Sequence, residues 1–190
     1  MSDIEIVAIG ASLGGLQAVQ ALLRGLPADI ACSFVLAQHR RADPDSMLVE
    51  LLAKHCALLV IEPEDKTPLQ PAHVYVAPSD YHLLVEHGHL ALSVDPPVCY
   101  ARPSIDVLFE SVADAYGPAA VGVMLTNSNE DGAAGALAIK RAGGKIVVQD
   151  PATAESPVGP LAVLAMTEVD AVLPLDAIAG ALAKLCVRRT

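Results

Sequence analysis

Three residues, each standing at the end of an apolar run, carry side chains that together could perform acyl transfer. They are Ser12 within Gly10-Ala11-Ser12-Leu13-Gly14, His39 closing "FVLAQH", and Asp131 just past "VGVMLT". A serine hydroxyl becomes a useful nucleophile when an imidazole takes its proton and a carboxylate holds that imidazole in the right tautomer. The pentad at 10–14 fits the G-x-S-x-G elbow, which lifts a serine above the carboxyl edge of a sheet. The same strand, turn and helix could instead cradle a phosphate, because backbone N–H groups and a helix N-terminus face any negative charge above them. Ser12 stands where G-x-G-x-x-G needs its second glycine, and no Gly-Lys-Ser or Gly-Lys-Thr follows, so neither nucleotide fingerprint is met. A nucleophile elbow and a purely structural turn both remain.

Each candidate also has a plainer role. His39 could be a strand-end histidine bonded to a loop, and Asp131 could cap the helix that follows it. Asp150 and Glu155, in "QDPATAES", are rival carboxylates at another strand end. His82, His87 and His89 look like a ligand cluster on paper, but two of them flank a hairpin glycine, and no cysteine or carboxylate keeps ligand spacing with them. No metal and no cofactor is expected.

The elements that must position these residues follow from the apolar pattern. Short strands alternate with helical segments, the mark of a doubly wound, mostly parallel α/β sheet with helices on both faces. The strands are "IEIVAIG", "CSFVLAQH", "ALLVIE", "HVYVAP", "AAVGVMLT", "KIVVQD" and "DAVLPL". Helices are predicted over 15–24, 45–55, 104–116, 132–142, 157–165 and 175–186. Residues 81–93, "YHLLVEHGHLALS", alternate about His87-Gly88 and predict an antiparallel hairpin attached to the sheet. In such a sheet ligands sit beyond the carboxyl ends of the strands, and Ser12, His39 and Asp131 fall at three of those ends.

Composition narrows the function classes. The chain has 190 residues, 53% of them hydrophobic and 18% charged, which suits residues 1–190 as one domain with an ample core. A formal net charge of -10 and the lack of any basic cluster beyond "HRR" and "VRRT" argue against nucleic acid. Cys32, Cys56, Cys99 and Cys186 form no C-x-x-C pair and lie mostly in apolar strings, as free thiols of a reducing compartment do. "MSDIEI" lacks a signal-peptide pattern and no apolar run approaches membrane-spanning length, so a soluble cytoplasmic domain with no membrane insertion is expected.

"VAIGASLGG", "AQH", "HVYVAPSDYHLLV", "RPSIDVLFESVADAYG", "LTNSNEDGAAG" and "GGKIVVQDPATAESP" occur in this order over nearly the whole chain. Together they resemble the catalytic domain of the chemotaxis protein-glutamate methylesterase family, CheB. The resemblance implies hydrolysis of glutamate γ-methyl esters on the cytoplasmic helices of methyl-accepting chemoreceptors, with deamidation of glutamines as a variant. It implies Ser12 as nucleophile, His39 as general base and then acid, and Asp131 as the carboxylate orienting His39. The N–H groups at Leu13 and in the "NSNED" loop, at Ser128, would bind the oxyanion.

The chain departs from the family pattern at three places. Leu13 replaces the usual Thr, Asn127-Ser128-Asn129 replaces Gly-Met-Gly, and Arg40-Arg41 replaces a common Met-Pro pair and would bring positive charge to the cleft mouth. These departures keep open a weakly active or inactive receptor-binding signalling scaffold as the alternative. The phospho-receiver domain that precedes the catalytic domain in familiar family members is not expected here, because the first catalytic strand begins almost at Met1.

Overall fold

The structure is a computed structural model that describes residues 4–40 and 47–187. At its centre lies β1 (Ile6–Ala11), every residue of which is buried, as a strand with helices on both faces requires. Successive side chains of β1 point to opposite faces. Val7 and Ile9 enter one core with Val19, Leu22 and Leu23 of α1 (Gly15–Arg24) and Ile178 and Leu182 of α6 (Leu175–Leu185). Ile6 and Ala8 enter the other, with Ile105, Leu108, Phe109 and Val112 of α3 (Ile105–Tyr116) and Ala136 and Ile139 of α4 (Ala133–Arg141). The helical residues repeat at three- and four-residue spacing, so each helix presents one apolar stripe to the sheet.

Beside β1 run β2 (Ser33–Gln38) and β7 (Ala120–Met124), both parallel to it. The remaining strands of the sheet are β3 (Leu59–Ile61), β4 (His73–Val76), β8 (Lys145–Gln149) and β9 (Ala171–Leu173), in the order β3-β4-β2-β1-β7-β8-β9. From β1 the chain passes to β2, then to the edge strand β3 and back to β4 between them, and later crosses over to wind outward from β7 to β9 on the other side. The boundary between β1 and β7 is therefore the switch point where a crevice opens at the carboxyl ends. Of the remaining helices, α2 (Leu48–Ala53) lies inside the predicted 45–55 span, whose first two residues fall outside the described ones, and α5 (Val158–Met166) matches its prediction to within a residue.

Two expectations are corrected. The hairpin of β5 (His82–Glu86) and β6 (His89–Ser93) forms a separate two-stranded sheet. Its apolar residues Leu83, Val85 and Leu90 join the core around α3, Ser111 and Tyr116 of that helix accept the N–H groups of Val85 and Gly88, and the loop at 66–69 bonds backbone to backbone with residues 88–90, so the helix and that loop hold it apart from the main sheet. Cys32 and Cys186 are not free thiols but form a disulfide, joining the start of β2 to the residue after α6 with Cα atoms 5.7 Å apart. Packing of α6 on α1 and β8, with the Ala31 N–H donating to the Cys186 carbonyl, brings together two cysteines 154 residues apart. Cys56 and Cys99 are free. No helix among the described residues is long and apolar enough to cross a membrane.

The approach of α3 to α4 rests on Gly135. A Cβ there would lie 3.0 Å from the Asp106 carbonyl oxygen and 2.5 Å from Phe109 Cβ, neither of which has room to move. Gly135→Ala is expected to lower unfolding stability by roughly 1–3 kcal/mol in urea titration, despite the better helix propensity of alanine.

Candidate active site

The chain leaves β1 at Ala11 and reverses into α1 through a turn pinned from several sides. The Ser12 N–H donates to the Thr126 carbonyl at 2.9 Å, and Gly15 N–H donates back to the Ser12 carbonyl at 2.8 Å. Gln38 Nε2 also donates to the Ser12 carbonyl, and the Thr126 hydroxyl donates to that of Leu13, each at 2.8 Å. Gly14 sits at φ 74, a left-handed conformation costly for other residues, and a Cβ there would meet the Glu155 side chain. Ser12 is half-buried, while the Leu13 side chain is 53% exposed. Among the described residues the N–H groups of Leu13 and Ser128 donate to nothing in the protein.

Register brings the serine and the histidine to one rim of the sheet. Ala11 pairs with Gln38 across the β1–β2 ladder, so the next residue of each strand, Ser12 and His39, emerges at the same rim. His39 Nε2 meets Asp131 Oδ2 at 2.6 Å, with the imidazole 12% exposed and the carboxylate fully buried. An ionised carboxylate only accepts, so Nε2 carries the proton and Nδ1 is left with a lone pair. The Ser12 hydroxyl makes no hydrogen bond among the described residues, so this end of the line is not closed. The structure thus brings His39 and Asp131 together and sets Ser12 at the adjoining strand end.

Asp131 does not cap its own helix. It caps α3: Oδ2 accepts Ile105 N–H at 2.7 Å, and Oδ1 accepts Asp106 N–H at 3.0 Å and the Ser104 hydroxyl at 2.8 Å. Asp106 returns the arrangement, its Oδ1 accepting Gly132 N–H at 2.9 Å and Gly135 N–H at 2.7 Å at the start of α4. Two helix N-termini therefore exchange carboxylates, each anion held where backbone N–H groups converge. Burial pushes the Asp131 carboxyl up, but the hydrogen bonds from His39, the two backbone N–H groups and Ser104 outweigh it and leave the carboxyl below its ordinary value. At Asp106 burial, reinforced by the charge of Asp131 and opposed by the two N–H groups it accepts, pushes the carboxyl up to about 6.

The other candidates are engaged elsewhere. Asp150 caps a short turn through Ala152 N–H, and Glu155 packs over Gly14. His82 is buried, its Nδ1 accepting Ser104 N–H, while His87 stacks on Tyr116 and His89 pairs with Glu86. Arg40 is no free charge at the mouth, since its guanidinium pairs with Glu62 and donates to the Ala77 carbonyl. Arg41 lies outside the described residues. Cys99, Asp106 and Asp131 bring ligand atoms within 4.8 Å of one another. Both Asp131 oxygens and one of Asp106 are already occupied by donors, which suits that trio poorly to a metal.

Several positioning residues escape a reading of the sequence. Ser104, Asp106, Gln38 and Thr126 each hold one of the candidate residues or its loop, through contacts spanning 25 to 113 positions. All four stand in blocks that the resemblance marks, Gln38 in "AQH", Ser104 and Asp106 in "RPSIDVLF" and Thr126 in "LTNSNEDGAAG", but nothing in those blocks tells which residue each one bonds.

The family model described as CheB methylesterase matches residues 7–182. A Leptospira interrogans protein, provisionally named protein-glutamate methylesterase/protein-glutamine glutaminase, is 41% identical over 178 residues, 93% of this chain and 92% of its own. An Anaeromyxobacter dehalogenans protein named protein-glutamate methylesterase/protein-glutamine glutaminase 2 is 42% identical over 182 residues, 96% of this chain but 53% of its own length. The crystal structure of the Thermotoga maritima CheB methylesterase catalytic domain superposes with a TM-score of 0.92 at 29% identity, covering 97% of this chain and all of that one.

The crossed carboxylates make stability depend on pH. Between the ordinary 3.8 and about 6, folded Asp106 keeps a proton that the unfolded chain has released, so its contribution falls as pH rises through that window and is constant above it. Asp131 acts in the opposite sense and at lower pH, its contribution being lost as pH falls through its lowered value. Asn at position 106 can still accept the two N–H groups but does not titrate. Thermal melts across this range should show Asp106→Asn gaining on the parent up to about 6, with parallel curves above. Curves parallel throughout would disprove the linkage.

Proposed function

The chain belongs to the CheB methylesterase family, and we propose that it hydrolyses glutamate γ-methyl esters on the cytoplasmic helices of methyl-accepting chemoreceptors, with glutamine deamidation as the variant activity. The observation that carries this reading is the buried His39–Asp131 hydrogen bond beside the Ser12 elbow, at the switch point of the sheet. Such receptor segments would place the chain's action in the cytoplasm, without membrane insertion or nucleic acid.

In this mechanism the Ser12 hydroxyl rotates toward His39 Nδ1, which takes its proton as Oγ bonds to the ester carbonyl carbon. The ring nitrogens exchange their usual duties, since Nε2 here faces the carboxylate. Imidazolium forms against the Asp131 anion, whose depressed affinity for protons keeps it charged. The oxyanion takes the unpaired N–H groups of Leu13 and Ser128. His39 then gives its proton to the departing methoxide, releasing methanol, and a water deprotonated by His39 frees the glutamate. With a glutamine substrate the leaving group is ammonia and the later steps are unchanged. Both oxyanion donors are backbone groups, so the side chains at 13 and 128 adjust fit without removing the donors.

Ser12→Ala is expected to lower methanol release from methylated receptor by at least about a thousandfold, and His39→Ala by a similar factor. The two changes combined should cost little more than either alone, because the pair works as a unit. Volatile methanol from radiolabelled receptor is the measurement. Undiminished release from Ser12→Ala would remove it from its role, and none from the parent chain would favour the scaffold.

A further inference from the structure

Val98 and Ala101 close a two-residue turn, Val98 N–H donating to the Ala101 carbonyl at 3.1 Å and Ala101 N–H to the Val98 carbonyl at 2.9 Å. Its central residues, Cys99 and Tyr100, have φ of 49 and 62. Such a turn ordinarily takes Asn-Gly, because both positions need the left-handed region that a Cβ disfavours. The turn is fixed from both ends of its loop. Arg102 donates from Nε and Nη2 to Asp80 Oδ1 at 3.0 and 2.6 Å, and from Nη1 to the carbonyls of Val94 and Asp95 at 2.8 and 3.1 Å. Cys99 turns inward, its Sγ 4.0 Å from Asp106 Oδ2. Tyr100 turns outward and is wholly exposed.

Full exposure is an unusual use of an aromatic ring in this chain, which has two Phe, four Tyr and no Trp. Phe34, Phe109 and Tyr75 are core, Tyr116 is half-buried against His87, and Tyr81, the other exposed ring, is only 40% exposed. Tyr100 lines one cavity of about 550 Å³ together with His39, Asn129, Asp80 and Arg102. That volume is far more than the few heavy atoms of a glutamyl methyl ester need, so the cavity has room for part of the polypeptide bearing it. A tyrosine is suited to such a contact, offering a large rigid apolar face and a polar tip while few rotatable bonds must be frozen.

We propose that Tyr100 is a specificity-determining residue, a docking side chain that packs against the helical polypeptide carrying the ester and seats that helix over His39. The proposal rests on the esterase reading for its partner, and the strained turn is what presents the ring at the rim. Cys99, with its Sγ 4.0 Å from Asp106 Oδ2, sets that turn over the carboxylate pair that holds the imidazole.

Binding is measured in the Ser12→Ala background, where the ester persists, by fluorescence anisotropy of a labelled, methylated helical receptor fragment. Adding Tyr100→Ala should weaken affinity on the order of tenfold, as removal of a hot-spot aromatic does, and Tyr100→Phe should stay within about twofold of the parent. Equal affinity with and without the ring overturns the proposal, and so does concentration-dependent self-association that vanishes with Tyr100→Ala. Because the readout is binding, ring-dependent affinity here together with no methanol release from the chain that keeps Ser12 would sink the esterase reading alone and leave the docking role standing.

Discussion

Everything at the site depends on keeping one carboxylate charged in a place where water cannot reach it. An isolated buried anion would take up a proton. Asp131 avoids this by accepting two backbone N–H groups at the start of α3, the Ser104 hydroxyl and the His39 imidazole. The helix terminus thus serves the chemistry directly. It supplies stabilisation that a side-chain partner alone would have to provide, and it fixes both carboxylate oxygens so that the imidazole meets one defined lone pair.

That solution transfers strain to a second carboxylate. Asp106 must cap α4 while buried beside Asp131, and burial first, with the Asp131 charge adding to it, raises its proton affinity. The fold accepts it because the two caps lock the helices whose N-termini meet at the crevice, and because Gly135 lets them approach closely. A site built this way is rigid where the acid and base are held. The Ser12 hydroxyl, bonded to nothing among the described residues, is free to turn.

Much of the fold was legible in local pattern. The seven parallel strands are short apolar runs bounded by turn residues, and buried strands read that way without tertiary information. The site was legible as a coincidence of three strand ends, and the family resemblance chose among the alternatives. What stayed hidden were the partners across the fold. Asp131 beginning a helix predicts a cap for that helix, yet its acceptor oxygens serve one whose first residue lies 26 positions earlier. Cys32 and Cys186 lie in apolar strings that describe a free buried thiol equally well, and only the docking of α6 decides between the states. The hairpin showed its alternation plainly, but alternation does not say whether a strand pairs with a sheet or rests on a helix.

The departures from the family pattern are best understood through the same local physics. Glycines expected at 127 and 129 would permit a left-handed backbone, but neither asparagine here has positive φ, so that freedom is not needed. The asparagines instead bond the loop to itself: Asn127 Oδ1 accepts Asn129 N–H at 3.3 Å, Asn129 Oδ1 accepts Asp131 N–H at 3.1 Å, and Asn127 Nδ2 donates to the Asp131 carbonyl at 2.9 Å. Side-chain amides thereby restrain a segment that glycines would leave more mobile in the unfolded chain. The restraint ends at the backbone of Asp131, the residue whose placement the imidazole requires. In this chain the altered loop therefore supports the acid–base pair, and the sequence change that looked like erosion of a site is a different way of holding it.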